Sequence, residues 1–206
     1  METIKKSGLL FFLLFVAISL PAQNRAERQA AFYKSYDAER SNKYGLSIQE
    51  LQKVYDAEDY FTNLRLGWLH YLNKQHETAK EFYTKAIKLK PYSIEARFGL
   101  IKPLSALEDW AGVKEQYLEI LKIDPQNTLA NYWLGVIYYN TADYTQAEKR
   151  FEKVLNLYPL DYDSAVILGW TKLKIGKYQE AKVLFDHTLT LRPGDESSLE
   201  GLKLIK

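Results

Sequence analysis

Four of the six prolines are evenly spaced, and this spacing constrains the fold more than any other feature of the chain. Pro91, Pro125, Pro159 and Pro193 each lie 34 positions from the next. Each follows a stretch whose apolar residues recur every three or four positions, as in ILKIDP and VLNLYP. A proline just past a helix end stops the helix, because its nitrogen has no proton for the next hydrogen bond. The chain is therefore predicted to repeat a helical unit with the period of these prolines.

Other residue types recur in the same frame, with position 1 at Tyr60, Ile94, Thr128 and Tyr162. Position 7 is leucine in all four units, position 8 is glycine in three, and position 24 is tyrosine or phenylalanine. Glycine inside a helix costs about 1 kcal/mol relative to alanine, so its recurrence needs a structural reason. A small residue at position 8 facing the small residue at position 20 would let two antiparallel helices approach, with the position-24 aromatic filling the space beside them. Each unit is predicted to be a helix–turn–helix hairpin.

This pattern resembles the tetratricopeptide repeat, a 34-residue unit with Leu-Gly, Tyr, Ala, Phe and Pro at fixed positions. Residues 128–161 match it best, with Leu134-Gly135, Tyr138, Tyr144, Ala147, Phe151 and Pro159 in frame. The resemblance covers about residues 26–206. It implies an all-α fold, a right-handed α-solenoid of antiparallel helix hairpins with about five units and a C-terminal capping helix.

Individual units depart from the family pattern at a few positions. Lys172 and His70 stand where the family usually has tyrosine, and Ile101 replaces the position-8 glycine. Pro103 lies inside the first helix of its unit, where we expect a kink or a shortened helix.

The repeat frame and the flanking segments together give the predicted organisation of the chain. Leu51 and Val54 keep the repeat spacing upstream of Tyr60, which indicates a degenerate first unit joined by a linker two residues shorter than the others. The predicted parts are a signal peptide (1–22), an N-terminal degenerate unit (23–59), four units (60–93, 94–127, 128–161 and 162–195) and a C-terminal capping helix (196–206).

The N-terminal segment 1–22 has a composition of its own. Lys5 and Lys6 precede a 12-residue stretch, LLFFLLFVAISL, in which only Ser19 is polar, and Pro21 ends it. A membrane-spanning helix needs roughly 20 apolar residues, so this stretch is typical of a signal peptide. The protein is expected to be exported, either to the periplasm or out of the cell. The alternative is an uncleaved leader, which would be the chain's sole contact with a membrane.

Composition and motifs argue against several classes of function. The 28 basic and 26 acidic residues give a formal net charge of +2, which is unsuited to binding nucleic acid. The absence of cysteine excludes disulfides and thiolate chemistry. The chain has no glycine-rich phosphate loop, and His70 and His76 lie six residues apart, not at the i, i+4 spacing of a helical metal site. We predict no catalytic residues, no cofactor and no metal.

The resemblance also implies where a partner would bind, because the first helix of each hairpin lines the concave surface in this family. The predicted groove residues are Phe32, Tyr36, Leu64, Trp68, Tyr71, Phe98, Lys102, Tyr132, Val136, Tyr139, Trp170 and Lys174. Most are aromatic or aliphatic, so the ring of Lys, Arg and Asn that holds a peptide carboxylate in some family members is absent. The competing interpretations are that these side chains pack between neighbouring first helices, or that the N-terminal helix fills the groove.

Three hypotheses for function follow from this surface. The first is a protein-interaction scaffold in the cell envelope or outside the cell, binding a peptide segment or a partner domain in an aromatic groove. The alternative is a small-ligand or glycan-binding module that uses the same aromatic face. The third is a structural subunit whose groove is closed by a second copy, since the sequence leaves the oligomeric state open.

Overall fold

The computed structural model describes residues 25–205, and all regular secondary structure in them is α-helical. The predicted signal peptide and residues 23, 24 and 206 lie outside the described residues. The helices are α1 (25–40), α2 (Tyr44–Gln52), α3 (Tyr60–Leu72), α4 (His76–Leu89), α5 (Ile94–Ala106), α6 (Trp110–Ile123), α7 (Thr128–Asn140), α8 (Tyr144–Leu157), α9 (Tyr162–Lys174), α10 (Tyr178–Leu191) and α11 (Glu196–Leu204). None of them is both long and apolar enough to cross a membrane.

The helices α3, α5, α7, α9 and α11 each begin at a capping residue. These capping residues lie 34 positions apart. The side chains of Asp59, Ser93, Asn127, Asp161 and Asp195 each accept a hydrogen bond from the backbone N–H three residues later. Such a cap satisfies one of the free N–H groups at a helix start. In the last four cases a proline of the repeat lies two residues before the cap, so each helix end is followed at once by a new helix start.

Within each hairpin, the turn depends on one residue in the left-handed backbone region. The residues are Asn42, Lys74, Glu108, Ala142 and Gly176, with φ between 56° and 78°. The last four are 34 positions apart, whereas Asn42 precedes Lys74 by 32 positions. Only glycine adopts this conformation without a steric penalty, so the turn is strained at the other positions.

We predict opposite effects of exchanging alanine and glycine at two of these turns. Gly176→Ala should lower the free energy of unfolding by about 1–2 kcal/mol, because φ there is +78°. Ala142→Gly should raise it by up to about 1 kcal/mol, since relief of the strain exceeds the added entropy of the unfolded chain. Urea titration measures both. Gly45→Ala, at an open helical position, is the control and should be stabilising. A loss of stability in Ala142→Gly would contradict backbone strain at Ala142.

The position-8 glycines accommodate the aromatic ring of position 24. A Cβ added at Gly135 would lie 2.7 Å from Cε1 of Phe151, and one added at Gly169 would lie 2.8 Å from Cε1 of Phe185. This differs from the expectation that the glycine faces the small residue at position 20. The ring occupies the space that a side chain at position 8 would need, which is the structural reason for the recurring glycine.

The chain forms two compact units. The first ends at Leu107 and the second begins at Glu108, so the division falls between α5 and α6, inside the predicted unit 94–127. The buried cluster of the first unit contains Phe32, Ile48, Leu51, Leu66 and Leu69. That of the second contains Ala147, Phe151 and Leu168.

Pro103 does not shorten its helix. α5 has 13 residues, as do α3, α7 and α9, and Pro103 lies in its last turn. The carbonyl of Pro103 still accepts the N–H of Leu107 at 3.0 Å. Of the two expectations at Pro103, the shortened helix is therefore wrong and the kink stays a prediction, because a proline in the last turn removes one backbone donor without ending the helix early.

Candidate partner-binding surfaces

An aromatic cleft of about 500 Å³ opens on the first unit; we call it the first-unit cleft. It is lined by Tyr36, Phe61, Leu64, Arg65, Trp68, Tyr83, Glu95, Phe98, Gly99 and Lys102. Five of these were in the predicted groove set: Tyr36, Leu64, Trp68, Phe98 and Lys102. The lining comes from α1, α3, α4 and α5, and the helical spacing of three and four residues in α3 places Phe61, Leu64 and Trp68 along one face.

The indole of Trp68 is held in place by a charged pair. Its Nε1–H donates to Oε1 of Glu39 at 2.6 Å, while Arg65 donates to the other oxygen of the same carboxylate at 2.5 Å. Arg65 also lies over the ring of Tyr36, with Cζ 4.1 Å from the centroid. These contacts fix two aromatic rings of the cleft before any partner arrives. Glu39 and Arg65 were not predicted from the sequence, because neither residue type recurs at its position in the 34-residue frame.

Lys102 adds a positive charge to this aromatic lining. Its ammonium lies 5.6 Å from the centroid of the Trp68 ring. In the part of the chain that the structure describes, Lys102 has no carboxylate within ion-pair distance, so the charge is available to a ligand. The first-unit cleft therefore offers stacking surfaces with a cation beside them.

Two other predicted residues of the first unit lie outside this lining. Phe32 is only 9% exposed and stacks on Phe61, with centroids 5.2 Å apart and planes at 8°. It is a core residue that supports the ring of Phe61, which is itself 43% exposed. Tyr71 is half-buried beside Trp68, 5.9 Å away between centroids.

The predicted residues of the second unit divide between packing and surface. Tyr132, Val136 and Tyr139 are half-buried and pack against the Phe151 cluster. Trp170 contacts the edge of Phe185 and donates from Nε1 to Ser197 of α11 at 2.9 Å. Lys174 is exposed at the end of α9. The structure thus gives most of these side chains a packing role and leaves part of each ring accessible.

A second opening, of about 560 Å³, lies between α7, the end of α8 and the start of α9; we call it the second-unit cleft. It is lined by Thr128, Leu129, Tyr132, Trp133, Val154, Tyr158, Asp161, Asp163 and Ser164. Trp133 and Tyr158, which are 45% and 58% exposed, lie in this lining although neither belongs to the predicted groove set. Burial, and then the charges of Asp163 and Asp161, raise the pKa of Tyr132 above its usual value.

His70 and Lys172, which stand where the family usually has tyrosine, both have structural roles. His70 is buried, its ring stacks on Phe82 at 5.1 Å, and its Nδ1 lies 2.7 Å from Oε1 of Gln75. Burial lowers the pKa of His70, which favours a neutral ring at pH 7.

Lys172, itself buried, is the centre of a partly buried charge cluster in the second unit. Its ammonium donates to Glu148, Glu152 and Glu180 at 2.6, 2.8 and 2.6 Å, and Lys177 also donates to Glu148 at 2.8 Å. The three carboxylates lie close enough together to hold a metal ion. The cation at their centre is the ammonium of Lys172, so the group is a salt-bridge network.

Models of the tetratricopeptide repeat match residues 62–93 and 128–161 of the chain. These two segments of the chain are therefore identified as tetratricopeptide repeats. The first helices of both matched segments, α3 and α7, supply lining residues to the two clefts. Proteins of this family are typically non-enzymatic scaffolds for protein–protein interaction, and the repeats support that class of function here.

Solved structures confirm the α-solenoid fold class of the chain. A tetratricopeptide repeat protein from Parabacteroides merdae is 19% identical, with a TM-score of 0.73 over 87% of this chain and 72% of that one. MamA is 18% identical, with a TM-score of 0.69 over 80% and 91% of the two chains. YrrB, described as having an unusual peptide-binding site, is 15% identical, with a TM-score of 0.70 over 90% and 97%. No curated protein matches the sequence.

Proposed function

We propose that this protein is an exported interaction scaffold that binds a peptide segment or a partner domain through the first-unit cleft. The observation that carries the proposal is the preorganised aromatic lining around Trp68, with Lys102 beside it. Tryptophan, tyrosine and arginine are the residue types that dominate the energetics of protein interfaces. Because Glu39 and Arg65 already fix the rings, little side-chain entropy is lost on binding.

The composition of the first-unit cleft favours a particular kind of segment. Tyr36, Phe61 and Phe98 present ring surface to an apolar or aromatic side chain of the partner. Lys102 favours an acidic residue next to that side chain. The peptide-binding site described for YrrB supports binding of this general kind by a chain with the same fold.

Export is part of the proposal and depends on residues 1–22. The basic start, the short apolar stretch and the break at Pro21 support a cleaved leader. The partner is then a protein of the periplasm, the cell surface or the medium. Mass determination of the protein purified from its own cells tests this directly: a mature chain that lacks the segment 1–22 is expected, and a full-length chain in the cytoplasm would contradict it.

Co-purification from the envelope fraction tests the scaffold function. The wild-type protein should recover a stoichiometric partner, and Trp68→Ala should weaken the complex by about 2 kcal/mol or more, because a buried aromatic anchor is lost. Trp110→Ala is the matched control, since Trp110 is an exposed indole outside the first-unit cleft. Equal recovery by Trp68→Ala and the wild type would contradict the assignment of the site.

The same variants separate the rival functions. Glycan-array binding by the wild type that is lost in Trp68→Ala, with no protein recovered, would support the glycan-binding alternative. A mass in light scattering that rises with concentration, and falls in Trp68→Ala, would indicate that a second copy occupies the cleft.

A further inference from the structure

We propose that the second-unit cleft is a separate binding site for an arginine side chain of a partner protein segment. The site is built from residues outside the first-unit cleft, so the inference stands independently of the function proposed above. Three observations carry it: the charge of the lining, an unpaired buried hydroxyl and exposed aromatic walls.

The polar lining of the second-unit cleft consists of acceptors for a cation. Asp161 and Asp163 contribute two carboxylates, and none of the nine lining residues is basic. Asp161 uses Oδ1 to cap α9, accepting the N–H of Ser164 at 2.9 Å. In residues 25–205 neither carboxylate has an ion-pair partner, and since Asp161 is engaged in the cap, Asp163 is the carboxylate free for a ligand.

Ser164 gives the cleft an acceptor without a partner. The residue is fully buried, and its Oγ makes no hydrogen bond within the described part of the chain. A buried hydroxyl left unpaired is unfavourable and is therefore uncommon in folded proteins. A guanidinium carries five N–H donors and no acceptor, so it can satisfy the Ser164 hydroxyl and a carboxylate together.

The walls of the second-unit cleft suit the flat face of a guanidinium. Trp133 and Tyr158 are exposed, and Tyr132 meets Trp133 edge to face with centroids 5.3 Å apart. A guanidinium stacks on tryptophan more favourably than an ammonium does, because it is planar and weakly hydrated. Leu129, 52% exposed at the edge, adds apolar surface for the arginine stem or a neighbouring apolar residue.

A pair of short peptides tests the proposal. The probe is acetyl-Leu-Arg-Leu-amide, and the control is the same peptide with citrulline, which keeps the shape of arginine and removes its charge. Binding is followed by NMR through the indole N–H signals, with that of Trp133 assigned from Trp133→Ala. We expect the arginine peptide to shift the Trp133 signal and to bind about tenfold more tightly than the citrulline peptide.

Two matched variants make the test specific to the cleft. Asp163→Asn should bring the two peptides to about equal affinity, because the free carboxylate is lost. Glu196→Gln removes one charge from the first turn of α11, outside the lining, and should leave the preference unchanged. Equal affinity of both peptides for the wild type, no binding of the arginine peptide, or a preference that survives Asp163→Asn would overturn the proposal. A shift confined to Trp110 or Trp170 would overturn it as well.

Discussion

Replacing Phe151 by alanine is expected to lower the free energy of unfolding by about 3–5 kcal/mol. The ring is fully buried and packs against Gly135, Ala147 and Leu168. Its removal leaves a cavity at a place where the neighbouring glycine has no side chain to fill it. Urea titration of wild type and variant measures the loss. Val183→Ala, at a residue 67% exposed, should change stability by less than about 0.5 kcal/mol.

A double-mutant cycle tests the physical reason for this effect. Gly135→Ala alone should destabilise by about 1–3 kcal/mol, because its Cβ would lie 2.7 Å from the Phe151 ring. With Phe151→Leu, which keeps the chain folded by leaving most of the volume, the same Gly135→Ala change should have a smaller effect. Additive effects would contradict the assignment of the glycine to the aromatic ring.

Replacing Lys172 by methionine is expected to cost about 2–4 kcal/mol of stability. The side chain is only 6% exposed, and its removal leaves Glu148, itself 10% exposed, with two further carboxylates close by. The expected loss of stability is smaller than for a fully buried ion pair, because Glu152 and Glu180 are 45% and 56% exposed. Lys174→Met, on the same helix at an exposed position, should have little effect. If Lys172→Met leaves the free energy of unfolding unchanged, water already screens the charges of the network and the prediction is wrong.

The pH dependence of the same variant follows from two opposite pKa shifts. Burial raises the pKa of Glu148, but the hydrogen bonds from Lys172 and Lys177 outweigh it, so the net pKa is lowered. Burial lowers the pKa of Lys172, but the hydrogen bonds that its ammonium donates to three carboxylates outweigh this effect, so the net pKa is raised. The stabilisation by Glu148 is therefore present above the pKa that this residue has in the unfolded chain. It is lost as pH falls through the lower pKa of the folded state.

The contribution of Lys172 is complete below its unfolded pKa and is lost as pH rises through the folded one. Taken together, the two shifts make the network most stabilising between about pH 5 and pH 10. The difference in unfolding free energy between wild type and Lys172→Met should be full at pH 7 and should shrink towards pH 3. A difference that stays constant across this range would contradict the role of the charges.

The candidate site was only partly predictable. The family frame identified Trp68, Phe98 and Lys102 because they occupy first-helix positions. It also placed Phe32 in the groove, since helical phase alone cannot show that the ring stacks on Phe61. Glu39 and Arg65 lie in different hairpins, and no sequence pattern signals that their side chains meet at the indole of Trp68.

By itself, the sequence determined the repeat. Regularly spaced prolines end the second helices, and apolar periodicity within each unit makes two helical faces that must pack. These are local effects, because backbone chemistry and side-chain phase act within a few residues. The tertiary structure decided the roles of the residues that do not follow the repeat pattern. Lys172 donates hydrogen bonds to three carboxylates, and Trp133, Asp163 and Ser164 line one cleft. Such groupings depend on side chains from different helices, whose proximity is set by packing and not by their order along the chain.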